Sequence, residues 1–178
     1  MGPMSQGKRR FEELVLPHLD AAFNLARWLT RNDHDAEDVV QEAMLRAFRF
    51  LGGLRGEAKP WLLAIVRNSC LSWLQVNRPA ELAGFDDRAP EPVDEASPEM
   101  LALRQCDRRM LNEALAALSA QFREALILRE LEDLSYRDIA RITDVPIGTV
   151  MSRLARGRRL LAESLQAISN AAAPKVHK

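Results

Sequence analysis

Apolar residues recur along this chain at spacings of three and four in two blocks, and the pattern collapses between residues 77 and 98. That period stacks side chains on one face of an α-helix; a half-buried strand needs alternation, which the chain does not sustain. The first block holds Phe11, Leu14 and Val15, then Leu19, Ala22, Phe23, Ala26 and Leu29 after Pro17. Proline lacks an amide N–H and fixes φ, so Pro17 breaks or restarts the helix. Residues 32–35 supply capping side chains, and Asp35, Glu37 and Asp38 suit the positive end of a helix dipole. Val39, Val40, Ala43, Met44, Ala47, Phe48 and Leu51 mark one face of the next helix, which Gly52-Gly53 ends. Pro60 fits the first turn of a further helix, 61–76. This helix is apolar round most of its circumference and is expected to be buried, with Arg67, Asn68, Ser72 and Gln75 as its polar exceptions.

Between the blocks stand Pro79, Pro90, Pro92 and Pro98 among acids and scattered alanines, the composition of a linker. Periodicity resumes near Glu99. Met110, Leu111, Ala114, Leu115 and Leu118 form one stripe, and Ser119 is placed to cap a helix carrying Phe122, Ala125, Leu126 and Leu131. Ser135 followed by Asp138 resembles a capping box, with Asp in place of Glu or Gln, and opens a short helix, 136–142. Thr143-Asp144-Val145-Pro146 makes a tight break before a long helix from about 147 to 168. The expected fold is all-α: two small helical domains, 8–77 and 107–168, joined by an acidic flexible linker, 78–106. The chain's 178 residues suffice for two modest cores.

Net charge is zero, but the charges lie in blocks. Residues 33–42 hold five acids and no Lys or Arg, while 46–78 hold six bases against Glu57 alone. Residues 81–99 are acidic again apart from Arg88, and 145–161 carry four arginines and no acid. Segregation at zero net charge implies several surfaces with different partners. Cys70 and Cys106 stand far apart with no second Cys or His at ligand spacing, which argues against a disulfide framework or zinc site and for two buried or incidental thiols. The three histidines cluster with nothing, and neither a phosphate-cradling Gly loop nor a nucleophile motif is present. No catalytic residue, cofactor or metal is expected. With no apolar run long enough for a membrane span and no signal-peptide core near the N-terminus, the expected location is the cytoplasm.

Residues 135–159 read as a helix-turn-helix. Ile139 and Ala140 face the partner helix, Ala being small enough for close approach, and Val150 and Leu154 face inward from the second helix. Thr149, Ser152, Arg153 and Arg156, three or four apart, are expected on a broad outward face. Hydroxyls there bond phosphates or base edges, and arginine grips guanine in a bidentate manner. Arg158 and Arg159 extend the positive surface toward a DNA backbone. A plain helical hairpin with a solvated basic face is the simpler alternative for this segment.

Longer motifs narrow the choice. Asp35-Ala36-Glu37-Asp38-Val39-Val40-Gln41-Glu42 with Leu45-Arg46-Ala47-Phe48-Arg49, then Lys59-Pro60-Trp61-Leu62-Leu63-Ala64-Ile65-Val66-Arg67-Asn68, resembles region two of bacterial sigma factors. Leu118-Ser119-Ala120-Gln121-Phe122-Arg123-Glu124-Ala125, Leu134-Ser135-Tyr136-Arg137-Asp138-Ile139-Ala140 and Val145-Pro146-Ile147-Gly148-Thr149-Val150-Met151-Ser152-Arg153-Leu154-Ala155-Arg156-Gly157-Arg158 are similar to region four. The resemblance covers about 10–77 and 107–165, and the aperiodic linker leaves no intermediate domain, as in the small extracytoplasmic-function (ECF) type. It implies that Asp38, Gln41, Glu42, Leu45 and Arg46 bind core RNA polymerase. It assigns Lys59, Trp61, Arg67, Asn68, Ser72, Trp73 and Gln75 to the minus-ten promoter element, with the loop 54–59 as the pocket for a flipped base. Arg137, Thr149, Met151, Ser152, Arg153, Arg156, Arg158 and Arg159 fall to the minus-thirty-five element. An anti-sigma factor is a further implied partner, and the linker acids suit a basic RNA channel.

The chain departs from the family pattern in places. Ser72 and Gln75 stand where an acid and a base are common, and Val76-Asn77 replaces part of a basic run. Met151 replaces a common Lys or Arg, and Asp144 takes a turn position usually held by Gly, where a left-handed backbone is favoured. Two other readings stand beside the sigma factor: a sigma-like decoy that titrates an anti-sigma factor, and a regulator using the helix-turn-helix alone. The second leaves the acidic motif at 35–42 without a purpose.

Overall fold

The structure is a computed structural model that describes residues 3–82, Phe85 and 108–172. Among these residues every element is helical. Helix α1 (Pro3–Leu14) runs into a 3-10 turn, Leu16–His18, where Pro17 stands in the first turn and ends the α-repeat. Helix α2 (Leu19–Thr30) closes at Arg31, whose left-handed backbone (φ 57°) lets its amide donate to the Arg27 carbonyl at 2.8 Å. Helix α3 (Asp33–Phe50) begins at Asn32, whose Oδ1 accepts from the Asp35 amide at 3.0 Å. That bond satisfies one of the four amides a helix start leaves open. A 3-10 turn, Leu51–Gly53, ends α3, and helix α4 (Ala58–Asn77) carries Pro60 in its first turn. One more helical turn, α5 (Pro79–Leu82), follows α4.

Helices α2, α3 and α4 pack on one another round Leu25, Leu29, Val39, Leu62, Leu63, Val66 and Cys70, all buried. Burial pushes the Cys70 thiol up to about 12, with Glu124 adding to the shift and Arg67 opposing it. Phe48, expected on the inward face, instead stands 49% exposed, and Phe11 of α1 meets its ring edge-on at 5.3 Å.

The second domain begins with α6 (Arg108–Ala117) and α7 (Ala120–Leu126). Ser119 takes the N-cap position as expected, but its side chain makes no capping bond. A wide π-turn, Ile127–Leu131, extends α7, with the Glu132 amide donating to the Ile127 carbonyl at 3.0 Å. Helix α8 (Tyr136–Thr143) opens on Ser135, whose Oγ accepts from the Asp138 amide at 3.1 Å and donates to the Asp138 carboxylate at 2.7 Å. It ends at Asp144, in the left-handed region (φ 55°, ψ 45°), and the chain turns directly into α9 (Ile147–Ala172). Asp tolerates this backbone better than most residues because its short side chain bonds locally.

Helix α9 approaches α7 closely at Gly157. A Cβ at Gly157 would lie 3.3 Å from Leu126 and 3.4 Å from Phe122 of α7. The two domains also pack together, α4 against α8 and α2 against α7. Gly157→Val should drive two methyls into that α7–α9 contact and cost about 1–3 kcal/mol of stability, read as a lower urea midpoint. An unchanged midpoint would show that the contact yields freely.

Candidate nucleic-acid interface

Three surfaces emerge once the sequence-predicted residues are placed on the fold. The first lies on α3. Asp38, Gln41 and Glu42 are exposed, Leu45 is 60% exposed, and the half-buried Arg46 donates through Nε to Glu42 at 2.9 Å. With Phe48 beside them, these residues set a bare apolar patch among charges, because Val39, Val40, Ala43 and Ala47 take the inward face of the same helix. Such a patch offers area to bury and charge to orient a partner. Phe48 was missing from the expected set because its spacing from Ala47 and Leu51 read as core.

The second surface is α4, and it is divided. Asn68, Ser72 and Gln75 are all exposed, one polar stripe on an otherwise apolar helix. Trp73 is half-buried, with the Arg78 guanidinium 5.3 Å above its ring. Arg78 also donates to the Thr30 carbonyl at 2.7 Å and to Asp35 at 2.8 Å, tying the end of α4 to the corner between α2 and α3. Lys59, Trp61 and Arg67 stand on the side of the helix that meets the second domain. Arg67 is buried and pairs in a bidentate manner with Glu124 of α7: Nε with Oε1, and Nη2 with Oε2 at 3.2 Å. Lys59 donates to the Glu132 carbonyl at 2.7 Å and pairs with the Glu132 carboxylate at 3.1 Å. The Asn24 amide of α2 donates to that same carboxylate at 2.8 Å. Trp61 lines a cleft of about 810 Å³ with Arg55 and Glu57 on one wall and Ser135, Arg137 and Arg141 on the other.

The third surface is α9 with the start of α8. Arg137, Met151 and Arg159 are exposed, and Thr149 and Ser152 are half-buried, Ser152 donating to the Thr149 carbonyl at 3.0 Å. Arg156 is half-buried, its guanidinium 5.2 Å above the Phe122 ring. Arg153 departs from the expected outward face and is buried, 5% exposed. Arg158 is held inward by Glu130, to which its Nη2 donates at 2.6 Å. Burial works against the Arg158 charge, yet the hydrogen bond and charge of Glu130, with Tyr136, outweigh it and raise the guanidinium's pKa. Glu124, Glu130 and Glu132 all escaped the sequence reading. A carboxylate at helical spacing reads as solvated surface, and nothing local reveals a distant base.

Among the described residues no group of His, Cys, Asp and Glu is placed to hold a metal ion, and no helix is long and apolar enough to cross a membrane.

Comparison with known proteins agrees with this arrangement. Residues 14–79 match the family model described as sigma-70 region 2, and residues 108–161 match that of sigma-70 region 4. The RNA polymerase sigma-H factor of Pseudomonas aeruginosa is 36% identical over 169 residues, covering 89% of this chain and 88% of the relative. The ECF RNA polymerase sigma-E factor of Haemophilus influenzae is 36% identical over 170 residues, covering 89% of each. The sigma factor RpoE of Bartonella quintana, solved in complex with the anti-sigma factor NepR, superposes with a TM-score of 0.68 at 32% identity, over 88% of this chain and 96% of that one. CnrH, solved with the cytosolic domain of CnrY, shares the fold at a TM-score of 0.62 and 22% identity, over 95% of this chain and 96% of that one. Two sigma models in family order and relatives matched over nearly their whole length establish that the chain belongs to the ECF group of the bacterial sigma-70 family.

Proposed function

We propose that this chain binds core RNA polymerase in the cytoplasm, directs it to specific promoters, and is itself controlled by an anti-sigma factor. The observation that carries this reading is the presence of both sigma regions in order, each with a polar or charged face on its expected helix. Residues 8–77 form the unit that docks on polymerase and engages the minus-ten element, 78–106 link, and 107–168 engage the minus-thirty-five element. Asp38, Gln41, Glu42, Leu45 and Arg46 of α3 form the polymerase contact, with Phe48 adding apolar area. On α4, the stripe of Asn68, Ser72 and Gln75 offers amides and a hydroxyl to bases of a separated strand, with Lys59, Trp61, Arg67 and Trp73 flanking it. Ser72 and Gln75 are neutral, so recognition of that strand rests on hydrogen bonds more than on charge. Unstacking a base costs a few kcal/mol, which these contacts offset.

At the upstream element, Arg137, Thr149, Met151, Ser152, Arg156 and Arg159 face the duplex. Arg153 and Arg158 act from within: one is packed beneath the helix, and the other is tied to Glu130 and orients the basic end of α9. Neither domain needs to bind tightly alone, because joining two weak contacts in one chain multiplies them through effective concentration.

The direct test is transcription in vitro with purified core polymerase and a promoter library, where initiation from a defined subset of promoters is expected. Tight duplex binding without polymerase would instead favour a helix-turn-helix regulator. Failure at every promoter, with binding of an anti-sigma protein retained, would favour a decoy. Leu45→Glu should weaken core binding by about 1.5–3 kcal/mol, the value of burying a leucine, measured by competition with labelled protein. Arg156→Ala should cost about 1–3 kcal/mol of upstream recognition if that guanidinium reads a base, and an unchanged promoter preference would remove it from the reading set.

A further inference from the structure

The first turns of α9 set an apolar tip in a basic surround. Ile147, absent from the expected site, is 43% exposed, and Met151 is 41% exposed. One turn apart, they lie about 40° from each other round the helix and about 6 Å apart along its axis. They therefore present one apolar surface, while Val150 and Leu154 of the same helix supply its buried side. An adjacent pair of large apolar side chains left in water marks a contact with a partner.

The groups round the tip say what that partner is. From 147 to 155 the only charged side chain is Arg153, which is buried, so the outward face is neutral there. On either side, Arg137 and Arg141 of α8 and Arg156 and Arg159 of α9 outnumber the carboxylates of Asp138 and Asp144. A neutral centre with cationic flanks fits a duplex groove, where phosphates line the rims and base edges lie between. The tip is also poor in donors. Ser152 gives its hydroxyl proton to the Thr149 carbonyl at 3.0 Å, and Met151 has none to give. Purines are read in the major groove through their acceptors, which need donors, whereas thymine offers a methyl group.

Gly148 is a separate sign of close approach. It is exposed, its φ is not positive, and a Cβ there would meet no atom of the chain within 4 Å. The fold does not require glycine at this point, and glycine weakens a helix relative to alanine. A bare backbone lets the start of α9 lie directly against a ligand.

We propose that Ile147 and Met151 read thymine C5 methyl groups in the major groove of the upstream promoter element. The inference rests on the reading of α9 as the helix that engages that element, and it names what the apolar part of the helix selects. The spacing of about 6 Å approximates two base-pair steps of about 3.4 Å each. The two methyls thus belong to A·T pairs about two steps apart.

The test uses holoenzyme assembled from the full chain and core polymerase, on the strongest promoter recovered from the library. Each thymine of the upstream element is replaced in turn by deoxyuridine, which removes the methyl and keeps every hydrogen-bonding group. One or two of these replacements should each weaken promoter binding about fourfold, the effect of leaving one methyl-sized group unburied. With Ile147→Ala and Met151→Ala combined, both at exposed positions, the same replacements should change nothing. Indifference of the wild-type holoenzyme to every deoxyuridine would overturn the inference, as would a methyl effect that survives in the double variant. A library that yields no promoter at all would overturn the promoter-directing reading, and the inference with it.

Discussion

Arg67 and Glu124 lose water together at the junction of the two domains, and the geometry of the whole chain follows from how that loss is offset. A buried ion pair is expensive to desolvate and returns the cost only when its hydrogen bonds are well formed. Here the fork of the guanidinium meets both carboxylate oxygens. Such a pair adds little net stability compared with well-packed apolar residues, but it is unforgiving of misalignment. It therefore fixes the register in which α7 lies on the first domain. Lys59, Asn24 and Glu132 then repeat the same match of donor to acceptor a short way off.

The two domains earn their rigidity differently. The first closes by packing α2, α3 and α4 round branched apolar side chains, with Arg78 pinning the free end of α4 to the preceding corner. The second packs α9 on α6, α7 and α8, and Gly157 lets α9 settle against Leu126 and Phe122. Around it, arginines are engaged from inside: Arg123 donates to the Leu118 carbonyl at 3.1 Å and is lowered to about 10, first by burial and then by the nearby Arg31 charge. Charge in this domain serves architecture as well as recognition, so the four arginines of residues 145–161 are not equivalent.

What could be read from the sequence was local chemistry. The caps at Asn32 and Ser135 and the break at Pro17 each depend on a few neighbouring residues, and each stands where the side chains predict. Sidedness was less legible at the margins of a stripe. Arg153 lies only about 60° round the helix from Val150 at 100° per residue, so it shares the buried side although it is an arginine. Phe48 errs the other way, an aromatic ring at the edge of the core stripe that the fold leaves outside. Docking of the two domains was not legible at all, because Arg67 and Glu124 are 57 positions apart and periodicity reports only what each helix does alone.

The π-turn after α7 also sets the angular position of Glu132. An α-helix advances 100° per residue, and a π-turn accommodates one more residue before the backbone bond closes. Here the Glu132 amide reaches back five residues to Ile127. Without that supernumerary residue, Glu132 would swing by about 100° and leave Lys59 and Asn24 without their shared carboxylate. The helical frame thus acts as an indexing device, in which a single-residue change of length, with no change of composition, decides whether the halves of the protein recognise each other.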